Sequence, residues 1–399
     1  MKSLMMMTTG LALIGAPALA QTVDPAAFPA PAPGEFGPLA EVPDNLALGD
    51  IVGKNDTPHT VGEMFPDRVG AFRFECDPAH NLADDPVVYP GKPGRSHPHQ
   101  FYGNNAINAF TTYATARTTG LSTCGSEGNR SGYWMPALIS GNMVIRPFNV
   151  VIYYKREPKN SAECTPGTPE YAGICVSIPN GLRFIFGYDL LSDTVTTGGI
   201  TFSCNINDGK GNPQRPGTIA ANNMADAARG CKVGDFIDFK IGAPECWNGK
   251  DLDSANHRSH THDRVKKANG FEACPASHPY YMPHFLLQAF YVVDENLNTT
   301  DPWVPGQKTW YLSSDIMFGM APKKPGSTFH GDYLEAWKAV IKKAWTDNCI
   351  DKGYSCVAND LGNGYGLKLK IRQNDSPRYV PIPAGAQGPF LNNRLHAGH

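Results

Sequence analysis

Ten cysteines limit what this chain can become more than any other feature. They are Cys76, Cys124, Cys164, Cys175, Cys204, Cys231, Cys246, Cys274, Cys349 and Cys356, and no two form a C-x-x-C pair. Zinc ribbons and thioredoxin-like sites use that close spacing. An even set without it points to disulfides formed in an oxidising compartment. Five bridges are expected. Cys164 with Cys175 and Cys349 with Cys356 look like local staples. Cys76–Cys124, Cys204–Cys231 and Cys246–Cys274 follow chain order, but spacing alone leaves those pairings open. A chain pinned this way tolerates long loops, and 41 glycines and 34 prolines in 399 residues suit loops and strands better than helices.

The compartment has a second indicator. Residues 1–20, MKSLMMMTTGLALIGAPALA, carry Lys2, a short apolar run and the small-x-small end Ala18-Leu19-Ala20. That is the pattern of a cleaved signal peptide, with a mature chain from Gln21. The apolar run falls short of the ~18 residues a membrane span needs, and no later segment supplies them. A secreted or periplasmic protein is expected. Net charge is −2 with 18% charged residues, so no basic field is present to draw nucleic acid or a membrane surface. Nothing in the sequence sets the oligomeric state.

Residues 21–45 are rich in Pro and Ala and read as an extended leader; 376–399 have the same character and read as a tail. Residues 46–375 between them read as one domain. Its strand signals are short, β-branched or aromatic, and bounded by turn residues: Val144–Lys155, Leu182–Tyr188, Ile200–Cys204, Phe236–Ile241, Phe285–Val293, Thr309–Ser313 and Leu367–Arg372. Helical spacing of Leu334, Trp337, Ile341, Ala344 and Trp345 predicts a helix over Asp332–Asn348, with Asp332 at its N-cap. A shorter helix is predicted over Ala221–Arg229. The expected fold is mainly β: a single disulfide-rich, β-sandwich-like domain with long loops and a few helices.

Five of the twelve histidines fall in two short polar segments, 94-GRSHPHQFYGN-104 and 253-DSANHRSHTHD-263. His97 and His99 are two residues apart, so in extended backbone they face the same way. Pro98 between them places the segment at a sheet edge or in a loop. His260 and His262 repeat the spacing, with His257 and Asp253 just before. Imidazoles and carboxylates in such numbers suit a divalent metal, for which His97, His99 and His260 are the candidate ligands. Metal-free acid–base chemistry is equally open to them, as is a structural role in bracing loops. Asp84 and Asp85 form an adjacent carboxylate pair, and capping a turn before Pro86 is the ordinary use of at least one of them. Arg95 and Arg258, beside the two clusters, are suited to a substrate carboxylate or phosphate. His278 and His330 extend the set.

The segments 84-DDPVVYPGKPGRSHPHQFYGNNAINA-109, 131-SGYWMPAL-138, 246-CWNGKDLDSANHRSH-260, 274-CPASHPYYMP-283 and 330-HGDYLEAW-337 resemble the motifs of the DUF1996 family, secreted bacterial and fungal proteins, the fungal ones often joined to WSC modules. The family's D-D-P-I-V-x-P-G falls on Asp84 to Gly91, and its S-H-x-H-x-F-F-G-N on Ser96 to Asn104. Its C-W-D-G-x-x-L-D-S-x-D-H-x-S-H falls on Cys246 to His260, with Asn248 and Asn256 where the family often has Asp. The resemblance implies export, an association with walls or polysaccharide, and a polar His/Asp cluster at the centre of its motifs.

On these grounds the chain is expected to be an exported enzyme that cleaves glycosidic bonds of extracellular polysaccharide, as a hydrolase or a lyase. The expected catalytic set is Asp84, Asp85, His97, His99, Asp253, His257, His260 and His330. Arg95, Arg258, Tyr102, Asn104 and His278 are expected to hold substrate, with Tyr133, Trp134 and Trp247 as stacking platforms for sugar rings. The rivals are a non-catalytic wall-binding module, which needs the aromatics but no reactive histidine, and a metal-dependent hydrolase acting on another extracellular substrate.

Overall fold

The computed structural model describes residues 23–55, 69–197, 199–210, 219–317, 320–357, 359–368 and 377–384. The expected signal peptide and most of the expected tail lie outside them. Alternating sequence builds the main strands. In Asn149–Arg156, Val150, Ile152, Tyr154 and Arg156 are buried while the residues between them are half-exposed, the two-residue period of a strand with one covered face. Seven strands pair in the order Ile219–Ala221, Ile200–Asn205, Phe236–Gly242, His284–Val292, Asn149–Arg156, Gly70–Cys76 and Ser355–Cys356. Six more pair in the order Thr194–Thr197, Arg183–Asp189, His330–Leu334, Gly132–Pro136, His99–Gly103 and Pro78–Leu82.

The two sheets close on a shared aromatic core. Phe285 of the first sheet lies against Tyr133, Phe186 and Tyr333 of the second, with ring centroids 5.1–5.6 Å apart. A buried side chain of that size is worth roughly 1.5–3 kcal/mol. Three phenols in the core satisfy one another: Tyr154 Oη meets Tyr133 Oη at 2.7 Å and Tyr333 Oη at 3.2 Å, and accepts from Trp337 Nε1 at 3.2 Å. All ten cysteines are paired, as Cys76–Cys124, Cys164–Cys175, Cys204–Cys231, Cys246–Cys274 and Cys349–Cys356. The fold is therefore a mainly β, disulfide-rich sandwich.

Several local expectations need correction. Val144–Lys155 is two strands, Met143–Ile145 and Asn149–Arg156, because Pro147 between them has no N–H for a ladder. Of Thr309–Ser313 only Tyr311–Leu312 is strand; of the strand expected over Leu367–Arg372, Leu367 ends the strand Tyr365–Leu367 and residues 369–372 lie outside the described residues. The predicted helix over Ala221–Arg229 shrinks to Met224–Ala227 and one tight turn, capped by Asn223. The helix predicted from Asp332 starts only at Ala339, and Asp332 lies inside the strand His330–Leu334. The leader is docked rather than extended: Phe28 and Phe36 are buried, and Asp44 pairs with Arg117 and Lys338. Part of the tail is also tied down, since Tyr379–Pro381 pairs with Met143–Ile145.

Strand alternation then decides the outer face of the six-stranded sheet. Tyr133, Phe184 and Tyr333 point into the sandwich, so their neighbours Trp134, Ile185 and Asp332 point away from it. Those three share one row, because Asp332 pairs with both Ile185 and Trp134. His99 and His330 lie on this same outer face, two residues from Phe101 and Asp332 respectively. Gly331 belongs to the opposite face, where a Cβ would come within 2.5 Å of the Phe186 ring. That contact explains a glycine between His330 and Asp332.

Candidate functional site

Loops cover most of this outer face and leave a pocket of about 310 Å³. Its floor is His97, His330, Asp85 and Asp332, and its walls include Tyr89, Ser96, Tyr188, Asp189, Asn256, His257 and Arg258. A bulge between Gly187 and Tyr188 breaks the register of that strand with its neighbour, which re-aims a strand at a sheet edge. His99 lies behind the floor, fully buried, with its ring centroid 4.2 Å from His97 and 6.0 Å from His330.

The hydrogen bonds fix the histidine tautomers. His330 Nδ1 faces the Thr328 carbonyl at 2.9 Å and His99 Nδ1 faces the Asp84 carbonyl at 3.0 Å. A carbonyl only accepts, so both Nδ1 atoms carry protons and both Nε2 atoms hold lone pairs. Ser313 Oγ donates its single proton to the Pro98 carbonyl at 2.6 Å. It therefore receives the His97 Nδ1 proton, at 2.8 Å, and His97 Nε2 is likewise the lone-pair nitrogen in the neutral ring. One ligating nitrogen from each of His97, His99 and His330 lies within 4.8 Å of the others, and the same holds for ligating atoms of Asp85, His99 and Asp332.

Among the described residues, two groups there have no hydrogen-bond partner. His99 Nε2 and both carboxylate oxygens of Asp332 are buried without a hydrogen bond, a state that costs about 1–3 kcal/mol per group. Burial, with Asp85 close by, pushes the Asp332 carboxyl well above the usual carboxylate range. Burial also lowers His99, and burial together with the neighbouring His99 holds His330 down at about 3. Asp85 uses Oδ1 to accept from the backbone N–H of Val87 and Val88 at 2.8 and 2.9 Å, so its other oxygen is the one left for chemistry.

His260 does not join this cluster, contrary to expectation. Its Nδ1 meets Ser254 Oγ at 2.9 Å and its Nε2 receives no lone-pair role, donating toward the Arg183 carbonyl at 3.0 Å. It braces the 254–260 turn. His257 lines the pocket from a left-handed backbone position, φ +56°. Asp253 holds it at 2.8 Å and also binds Arg183 at 2.8 Å, so Asp253 is an orienting residue. Asp84 is a clamp: its oxygens accept from Gly94 N at 2.8 Å and Ala109 N at 3.0 Å. Asn256, where the family often has Asp, accepts from Arg258 N at 3.2 Å and Ser259 N at 2.9 Å. An amide oxygen does that work as well as a carboxylate.

Most of the expected substrate contacts are structural. Tyr102, Tyr133 and Trp134 are wholly buried and Trp247 nearly so, so none is a platform for a sugar. Trp134 stacks on Phe101 and Trp247 donates to the Asp251 carbonyl at 2.7 Å. Asn104 ties the 116–119 turn through the carbonyls of Ala116 and Thr119. His278 lies between Ser277 Oγ and the Ser259 carbonyl. Arg95 is half-buried and outside the pocket lining. Arg258 alone of the expected substrate-holding group is on the pocket wall. Helical spacing favours an N-cap role for Asp332 and leaves it out of the expected site; in the strand His330–Leu334 the alternation of 330-HGD-332 puts both polar side chains on one face.

No curated protein and no solved structure matches the chain. The family model does, and it spans both the pocket floor and the turn that carries Arg258. Its match covers residues 85–337, more than half of the sequence, and the chain belongs to the DUF1996 family, a domain of unknown function.

Proposed function

We propose that this protein is an exported, divalent-metal-dependent enzyme that cleaves glycosidic bonds of extracellular polysaccharide in the pocket above His97, His99 and His330. One observation carries the reading: three imidazoles whose Nδ1 protons are all committed to oxygen acceptors converge beside a buried carboxylate, Asp332, that has no partner of its own. Metal-ligating histidines are oriented by that kind of acceptor on the far ring nitrogen. Mixed imidazole and carboxylate donors suit zinc, manganese, cobalt or copper better than calcium or magnesium. His97, His99 and His330 would hold the ion, with Asp332 and the free oxygen of Asp85 completing the set. A bound ion of this type supplies Lewis acidity and a more acidic water. The chain itself supplies a pocket open on one side, an orienting frame for each ligand, and Arg258 and Asn256 on the wall. Five disulfides, and the absence among the described residues of a helix long and apolar enough to cross a membrane, support export.

A second reading has its own observation. Asp85 and Asp332 each bring a carboxylate oxygen within 4.8 Å of the other, and a close pair of carboxyl groups is the equipment of retaining glycosidases. Metal-free hydrolysis would use that pair directly. The purified protein should be analysed for bound metals, then assayed on acidic and neutral polysaccharides for new reducing ends and for unsaturated uronates. Activity lost to a chelator and restored by zinc or manganese supports the metal reading. Full activity in metal-free protein favours the carboxylate pair. Neither metal nor cleavage on any polymer sinks both and leaves the binding module.

A further inference from the structure

We propose that the substrate is anionic, and that Arg258 binds a carboxylate or sulfate on the sugar chain. The guanidinium is pinned from one side by two neutral acceptors: Nη1 donates to Thr196 Oγ1 at 3.1 Å and Nη2 to the Tyr188 carbonyl at 3.0 Å. Its backbone is fixed as well, through Asn256 and the turn closed by Thr261 N on the Arg258 carbonyl at 3.0 Å. The remaining donors therefore have a set direction before any ligand arrives, which is what planar oxyanion recognition requires.

Arg258 combines a place on the pocket wall with a missing counter-ion. Arg117 pairs with Asp44, Arg156 with Asp351, Arg183 with Asp253 and Arg264 with Glu245, while Arg146, also partly buried and without an ion pair among the described residues, lies off the pocket and donates to the Pro78 carbonyl at 2.7 Å. Among the described residues no carboxylate lies within ion-pair distance of Arg258, although burial disfavours its charge. An unmatched, partly buried charge is costly unless a ligand completes it. The acidic groups that face it are Asp189, Asp332 and Asp85. Asp189 is turned to its own hairpin, accepting from Leu191 N at 3.0 Å and Ser192 Oγ at 2.8 Å. Asp85 and Asp332 would repel an anion on their own. The proposal therefore rests on the metal reading for charge balance, since a divalent ion on the floor offsets both carboxylates and leaves Arg258 to set the sign.

The test is calorimetric binding of three probes of equal length to the full chain: an oligogalacturonate, its methyl ester and a sulfated oligosaccharide. The wild type should bind at least one charged probe about tenfold more tightly than the ester, as a charge-assisted contact implies, and which charged probe wins identifies the anion. In Arg258→Gln the preference should vanish; in Arg258→Lys, which keeps the charge but loses the planar fork, part of it should survive. Melting curves establish that each variant is folded, and the lysine variant carries the test if the glutamine variant is not. Equal affinity for charged and neutral probes, binding of none, or a preference unchanged in Arg258→Gln overturns the proposal. Metal content measured on the same samples separates the two ideas: charge preference without bound metal sinks only the metal reading, and bound metal without charge preference sinks only this one.

Discussion

His97 Nδ1 stands 2.8 Å from Ser313 Oγ, across 216 positions of sequence. Ser313 belongs to a loop that also carries Thr328, whose carbonyl takes the His330 Nδ1 proton. A single buried carboxylate organises that loop. Asp315 accepts from Leu312 N and Gly326 N, both at 2.7 Å, and from Thr328 N and Oγ1 at 3.2 and 2.8 Å. Two of the three pocket imidazoles are thus aimed through one residue that touches neither of them.

Replacing Asp315 by Ala should loosen both acceptors together. Losing four donors' partner is expected to cost on the order of 3 kcal/mol of stability. Where the variant still folds, zinc or manganese should bind about 10–100-fold more weakly, the usual effect of removing a group that orients a ligand. Metal titration of the folded fraction, beside melting, checks this. Unchanged metal affinity would remove Asp315 from the site's support.

His99 and His260 should part company on mutation. His99→Ala removes a lone-pair nitrogen that has no hydrogen-bond partner among the described residues, so metal binding and any cleavage should fall by roughly two orders of magnitude or more in the folded protein. It also strands the Asp84 carbonyl, at a cost of about 1–3 kcal/mol. His260→Ala strands Ser254 Oγ and the Arg183 carbonyl, at a cost of about 1–3 kcal/mol, with pocket function retained in the folded protein. The reverse pattern would contradict the assignment of both residues.

The same His260 sets a pH window. Burial lowers it from 6.5 to about 4. The unfolded chain takes up a proton below about pH 6.5 that the fold refuses until about pH 4, so the unfolded state binds more protons across that interval. Its contribution is complete above pH 6.5 and is lost as pH falls toward 4, by up to about 3 kcal/mol. Denaturant midpoints from pH 7 to pH 4 should fall more steeply in the wild type than in His260→Gln. Parallel curves would contradict this.

Redox state offers the plainest check. Thiol titration of the unfolded, non-reduced protein should find essentially no free cysteine, as all ten are paired. Removing Cys204–Cys231 by a double Ser substitution should cost about 2–5 kcal/mol, in the range for native disulfides of small exported domains. Two or more free thiols would contradict the pairing.

Local chemistry in the sequence already determined much of this. An even cysteine set without close pairs meant bridges, short β-branched and aromatic runs between turn residues meant strands, and the i, i+2 spacing of His97 and His99 set their mutual orientation. Spacing relates only neighbours along the chain. It could not bring His330 and Asp332 to His97 and His99, because that meeting depends on antiparallel register across Gly132–Pro136. Nor could it separate His99 from His260, which have the same motif spacing but different surroundings: one ring nitrogen left bare, against two bound to backbone and hydroxyl. The aromatics followed the same rule. Tyr133 and Trp134 are adjacent and point to opposite faces of one strand, and both faces are covered, one by the second sheet and one by loops. Which faces are covered is a property of the packed layers, and only the tertiary structure decided it.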